Sequence, residues 1–146
     1  MNFTRKQAKI IKSRAILIYF LFNIFTFGQQ NSDLNEITFF SPIDSSYQPA
    51  MFYKTEITGA QPLLVGLHTW SSDYTQSAGV TYYEICKSKN WNFIFPNLRG
   101  PNDHPESTGS EFVIADAKAA VEYCKTHANV DTSRIYLIGA SGGGYT

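Results

Sequence analysis

Ser141 is the residue of this 146-residue sequence best placed to do chemistry. Glycine stands two positions before it and two after, in Gly139-Ala140-Ser141-Gly142-Gly143. Behind the β-rich apolar run Ile135 to Ile138, a Gly-x-Ser-x-Gly segment predicts a sharp strand-to-helix turn. Such a turn lifts a hydroxyl above a sheet edge, poised to attack a carbonyl carbon. The serine backbone there is strained, and glycine on both sides removes side chains that would collide across the turn. A helix beginning beyond the turn would bring its positive end and the Gly142 N–H to Ser141. Three other readings compete. Gly139 to Gly144 followed by Tyr145-Thr146 approaches a phosphate-binding loop, but a tyrosine at the lysine position removes the main counter-charge. A dinucleotide fingerprint would need glycine where Ser141 stands. The third is a glycine-rich turn whose serine only caps a helix.

A turn of this kind needs a sheet beneath it, and the middle of the chain alternates strand and helix. Ala50 to Lys54 alternates weakly and predicts an outer strand, whereas Leu63 to Leu67 is a continuous apolar run suited to a central strand buried on both faces. Ser77 to Lys89 sets Ala78, Tyr82, Ile85 and Cys86 at helical spacing, and Asn92 to Phe95 is a short strand closed by Pro96. From Ser110 to His127, Val113, Ala117, Ala120, Val121 and Cys124 form one apolar stripe. Glu111, Lys118, Glu122 and Lys125 form its solvent face. Strand, helix, strand, helix, strand is the pattern of an α/β fold with a mostly parallel sheet and helices on both faces.

The N-terminus speaks to compartment. Arg5, Lys6, Lys9, Lys12 and Arg14 form a basic segment before a 13-residue apolar run, Ala15 to Phe27, which has the length of a signal-peptide core and is short for a membrane span. Thr26 and Gly28 suit the positions before a signal-peptidase cut. Residues 1–28 are therefore expected to be a signal peptide cleaved after Gly28, giving a secreted or periplasmic protein with no stable membrane association. Residues 29–47 read as a lead-in and 48–146 as the domain. Removing 1–28 leaves 7 basic against 12 acidic residues, a net of −5, which disfavours nucleic acid as a partner.

Cys86 and Cys124 fall on apolar helix faces that would cover opposite sides of the sheet, so two buried free thiols are expected rather than a disulfide. His68, His104 and His127 have no ligand-like spacing with each other or with the cysteines, and no metal or cofactor is expected.

Three phrases in order, spanning about residues 48 to 146, resemble the first half of an α/β-hydrolase, in the prolyl-oligopeptidase-related branch with its secreted esterase relatives. Leu64-Val-Gly-Leu-His68-Thr-Trp70 is similar to the strand ending in a histidine and an oxyanion loop. Phe95-Pro-Asn-Leu-Arg99-Gly100 is similar to a strand-end Pro-x-x-Arg-Gly segment. Val130-Asp131-x-x-Arg134-Ile135 resembles the approach to the nucleophile. The chain departs from the family where Thr69-Trp70 replaces the common glycine pair after the histidine.

The resemblance implies that Ser141 forms an acyl-enzyme, with the oxyanion held by the N–H groups of Gly142 and Trp70, or of Thr69 in place of Trp70. It implies structural roles beside the site for His68, Gly139 and Gly143, and a peptide or acyl ester as substrate. In this family the triad runs Ser, Asp/Glu, His along the chain, and no aspartate or histidine follows Ser141 here. The expectation is a partial α/β-hydrolase fold truncated after the elbow, inactive as given. Asp103-His104 as a substitute dyad is disfavoured, because adjacent residues rarely converge on one site. Two further readings remain open: a non-catalytic hydrolase-like binding protein, and an α/β domain whose Ser141 is only a turn residue. The residues between Gln29 and Gln48 are too few for a β-propeller, which favours a carbohydrate or other esterase, or a propeller-free peptidase. Trp70, Tyr74 and Trp91 could stack on sugars, although packing is the commoner use of such rings.

Overall fold

Continuous apolar runs at the centre of the chain and alternating ones at its margin dictate the layering. A computed structural model describes residues 33–146 apart from residue 108. The expected leader and its cut after Gly28 lie outside the described residues. Strands β3 (Gln61–Leu67) and β4 (Asn92–Pro96) are buried along nearly their whole length and pair in parallel, Leu63↔Asn92 to Val65↔Ile94. β5 (Val130–Gly139) lies parallel along the other side of β3. β1 (Asn35–Ser41) and β2 (Ser46–Tyr53) form a hairpin, and β2 runs antiparallel to β4 from Ala50↔Pro96 to Tyr53↔Phe93. The order is β1-β2-β4-β3-β5. Helix α1 (Ser77–Lys89) links β3 to β4, and α2 (Glu111–His127) carries the chain from β4 across β3 to β5. The four-residue α3 (Gly142–Tyr145) follows β5.

The expected outer strand is flanked by a further one, so that β1 and not β2 is the edge of the sheet. β2 begins at Ser46 and ends at Tyr53, before Lys54, and residues 35–41 form a strand that apolar periodicity does not reveal. β1 contributes one fully buried ring, Phe39, while Phe40 is half exposed, so ladder pairing rather than burial defines it.

Strand alternation sorts side chains into two cores. Leu63, Val65, Leu67 and Ile94 pack with Val113, Ala120 and Cys124 of α2 on one face. Leu64, Phe93 and Phe95 pack with Tyr83 and Cys86 of α1 on the other. The two cysteines therefore sit in separate cores as free thiols, and burial pushes both up to about 12.

The expected α1 stripe is rotated. Gly79, Tyr83 and Cys86 are buried, whereas Ile85 is 46% exposed. Gly79 is the reason: a β-carbon there would stand 2.6 Å from Cδ1 of Phe95, and one on Gly66 of β3 would stand 2.6 Å from Cδ2 of the same ring. The fully buried Phe95 ring is thus held between two glycines, and the helix turns its glycine toward the sheet. The solvent face of α2 is as expected, with Glu111, Lys118, Glu122 and Lys125 exposed.

β5 enters the sheet through a bulge, its partner register passing from Gln61↔Val130 to Leu63↔Ile135. Asp131 braces the bulge, accepting from Ser133 N at 2.9 Å, Ser133 Oγ at 2.6 Å and Arg134 Nε at 2.6 Å. The Ser133 hydroxyl, and after it Arg134, hold its carboxyl down at about 2. Buried Asn92 ties the strand starts together, accepting from Thr55 N and donating to the carbonyls of Gln61 and Asn129.

Two outcomes follow from this packing. Gly79→Ala is expected to destabilise the protein by about 1–2 kcal/mol in urea unfolding, because overpacking against Phe95 outweighs the gain of roughly 1 kcal/mol in helix propensity. A stabilised variant would contradict the sandwiched ring. For Asp131, the folded carboxyl lies below the roughly 3.9 of an unfolded aspartate, so its stabilisation is present above that value and disappears as pH falls through about 2. Asp131→Asn should therefore lower Tm at pH 6, with the gap to the unsubstituted protein closing as pH drops from about 4 to about 2. A gap independent of pH would assign the effect to geometry instead of charge.

Candidate active site

Because β3, β4 and β5 are parallel, their carboxyl ends meet at one end of the sheet, where the loops that leave them can share a site. Ser141 follows β5 with φ 52 and ψ −121, a left-handed conformation that costs a non-glycine residue energy. Its surroundings demand glycine. A β-carbon on Gly139 would lie 2.3 Å from the Gly143 carbonyl oxygen, and one on Gly143 would lie 2.3 Å from that of Leu67. The first turn of α3 is thus wedged against the ends of β5 and β3.

Ser141 occupies the helix N-cap position, yet its hydroxyl caps no N–H. A serine kept only as a cap would make that bond, so the capping alternative fails. Among the described residues Ser141 Oγ has no hydrogen-bond partner and is exposed.

The loop after β3 lies directly over the elbow. A β-carbon on Gly142 would meet Trp70 Cδ1 at 1.9 Å, so the indole rests on the bare α-carbon of Gly142. The Tyr145 ring meets the indole edge-on at 5.5 Å. The two candidate donors of this loop differ in availability. Thr69 N–H donates to Gln76 Oε1 at 3.1 Å, and the Gln76 amide returns a bond to Thr69 Oγ1 at 3.0 Å. Among the described residues the N–H groups of Trp70 and Gly142 meet no acceptor, which ranks Trp70 ahead of Thr69.

His68 is 5% exposed, with Nδ1 2.8 Å from Thr69 O and Nε2 2.5 Å from Asn97 O. The ring bridges the loop after β3 to the loop after β4. Asp103 and His104 lie on that second loop, where His104 Nε2 donates to Arg99 O at 2.9 Å and Nδ1 faces Glu106 at 3.1 Å. Both ring nitrogens are engaged locally, and no Asp–His relay to Ser141 is formed. His127 ends α2, stacked on Tyr123 at 3.8 Å. Of the three aromatics considered for sugar stacking, only Trp70 is at the site. Trp91 stacks on Tyr136 at 5.2 Å, and the Tyr74 hydroxyl donates to Glu36.

Sequence reasoning missed the charge cluster behind the second loop. Arg99, 10% exposed at its side chain, donates from Nε to Asp116 Oδ2 at 2.6 Å and from Nη2 to Oδ1 at 3.0 Å. Nη1 reaches Asp44 Oδ2 at 2.6 Å, and Nη2 reaches Ser41 Oγ at 3.1 Å. Ser41 in turn donates to Asp116 Oδ1 at 2.5 Å. Asp116 is fully buried on α2, and removing one partner of such a pair costs about 3–5 kcal/mol. The Arg99 hydrogen bond, then that of the Ser46 backbone and side chain, hold Asp44 well below the usual carboxylate range, and the bonds to Asp116 and Asp44 raise Arg99 further. A signal was available: an aspartate interrupting the α2 apolar stripe needs a cation, and Arg99 is the strand-end arginine nearest in sequence.

Comparison with known proteins gives fold-level matches. No family model and no curated protein sequence matches the chain. Among solved structures it is similar to the esterase Est22, at 20% identity and a TM-score of 0.59 over 76% of this chain and 35% of that one. The S-formylglutathione hydrolase FrmB of Staphylococcus aureus matches at 17% identity and a TM-score of 0.62, over 77% of this chain and 48% of that one. The acylaminoacyl peptidase of Pyrococcus horikoshii matches at 24% identity and a TM-score of 0.60, over 77% of this chain and 19% of that one. The chain thus spans about a third of the length of Est22.

Proposed function

The chain has the α/β-hydrolase fold, and from that premise we propose that it carries the nucleophile half of an exported serine hydrolase, a prolyl-oligopeptidase-like peptidase or a related esterase. The observation that carries the reading is the backbone of Ser141. A left-handed serine with an unengaged hydroxyl, at the end of a parallel strand and the start of a helix, is the arrangement of a nucleophile elbow, which leaves Oγ exposed for attack. The company of two hydrolases of esters or thioesters and a peptidase among similar structures supports the same chemistry.

In this reading Oγ adds to the carbonyl carbon of a peptide or acyl ester as its proton passes to a general base. The oxyanion is met by the N–H groups of Gly142 and Trp70, collapse expels the amine or alcohol, and water then hydrolyses the acyl-enzyme. Both ring nitrogens of His68 and His104 are engaged, and His127 precedes the start of β5 whereas Ser141 follows its end, so the reading assigns the base and its orienting carboxylate to sequence outside residues 33–146. No cofactor takes part.

Three measurements test the proposal. In the intact gene product a fluorophosphonate probe should label Ser141, and Ser141→Ala should abolish labelling and lower kcat on p-nitrophenyl acetate by about 10⁶. Trp70→Ala keeps the backbone donor, so its loss should stay below about 10²-fold. An unlabelled Ser141 would leave the turn without a catalytic role, and equal losses would give the indole itself a part in the chemistry. For export, N-terminal sequencing of secreted material should return Gln29; recovery of Met1 would overturn the cleaved leader.

A further inference from the structure

Leu98, Arg99 and Gly100 are three consecutive residues with left-handed φ, at 46, 70 and 77. Two non-glycine residues in that region are costly, and such a run persists only when its surroundings over-determine it. The surroundings are the charge cluster. One guanidinium at the centre of the turn is bound by Asp116 of α2, by Asp44 and Ser41 of the β1–β2 hairpin, and lies 5.0 Å over the Phe112 ring.

From this turn two tethers run to the peptides on either side of Trp70 Cα. Asn97 O, just before the turn, lies beside His68 Nε2, and His68 Nδ1 lies 2.8 Å from Thr69 O; a neutral ring donates to one of these two carbonyls, and Ser72 N also donates to Thr69 O at 3.1 Å. Thr69 O and Trp70 N–H belong to one planar peptide unit, so holding the carbonyl fixes the direction of the N–H. Beyond the turn, Asn102 N donates to Trp70 O at 2.7 Å and fixes the following peptide. His104 Nε2 on Arg99 O closes the loop between these anchor points. With both flanking peptides held, the backbone at Trp70 has no rotation left.

We infer that Arg99 is a positioning residue for acyl transfer: held by Asp116, Asp44 and Ser41, it sets the direction of the Trp70 N–H through the turn at 98–100. The inference rests on the serine-hydrolase reading for its catalytic consequence, but its structural content stands apart from it. Arg99 touches no reacting atom. It acts through His68 and Asn102, which explains why a residue bonded to the outer hairpin matters at the carboxyl end of β3.

The test uses Arg99→Lys, which keeps charge but loses the fork, and the milder Ser41→Ala, which keeps the ion pairs. Hydrogen exchange on the intact gene product reads the tethers directly. The Asn102 amide, which donates to Trp70 O, should exchange about tenfold faster in Arg99→Lys, and less so in Ser41→Ala, while α1 amides stay at the unsubstituted rate. In ester hydrolysis kcat should fall about tenfold for Arg99→Lys with KM within about twofold, since an oxyanion donor that is misdirected but present costs less than the 10²–10³-fold of one removed. Unchanged exchange at Asn102 in both folded variants overturns the inference, whatever the enzyme does. Faster exchange with an unchanged kcat overturns it too, since the turn would then serve only the fold. An unreactive Ser141 in the unsubstituted protein counts instead against the serine-hydrolase reading, and the exchange data still decide the tether.

Discussion

The close approach of α3 to the end of β3 governs the rest of this structure. The space that a β-carbon on Gly143 would need is already taken by the carbonyl oxygen of Leu67, the last residue of the strand. That contact joins the elbow of β5 to the residue before His68, and so to the loop that carries Trp70. A parallel β3–β5 pair places both strand ends at the same level, and the absence of a side chain at 143 lets them close up. Strain at Ser141 follows from the same wedge, because the chain must reverse between a strand and a helix that have no room between them.

Closeness alone would leave the loop after β3 free to swing, and the polar constraints answer that. On one side Gln76, at the N-cap of α1, holds the Thr69 peptide and hydroxyl. On the other, His68 and Asn102 hold the peptides around Trp70 from the loop after β4. The loop is therefore gripped by elements from both neighbouring crossovers. Burying Arg99 and Asp116 behind that grip is costly in desolvation, and a wholly apolar core could not have directed a single peptide plane, because hydrophobic contact has no preferred direction.

How much of this the sequence carried depends on the physics behind each part. Leu63–Leu67 and Asn92–Phe95 were legible because a strand buried on both faces must be apolar throughout, and Ser141 was legible because its turn admits few residues. β1 was not, since Asn35–Ser41 is defined by ladder bonds to β2 and buries little. The face of α1 was misread because Gly79 has no hydropathy to report, yet its missing side chain is what draws the helix to Phe95. The cluster around Arg99 was missed because its bonded pairs lie 17 to 75 positions apart in sequence, and pairing at that range has no local pattern. Only Asp116, an acid within an apolar stripe, betrayed it.

The departure at Thr69-Trp70 from a glycine pair now has a steric account. The bulk of the tryptophan is taken up against the elbow: the indole lies where a side chain on Gly142 would be, so the large residue of one loop is matched by the empty position of the other. Gly142 thus serves twice, leaving its own N–H bare at the helix start and giving Trp70 a seat. The Tyr145 ring, one helical turn on, meets the indole edge-on and limits how far it can tilt. The two positions form one packed unit, and any residue other than glycine at 142 would have to move the tryptophan, and with it the peptide that the rest of the fold is arranged to hold.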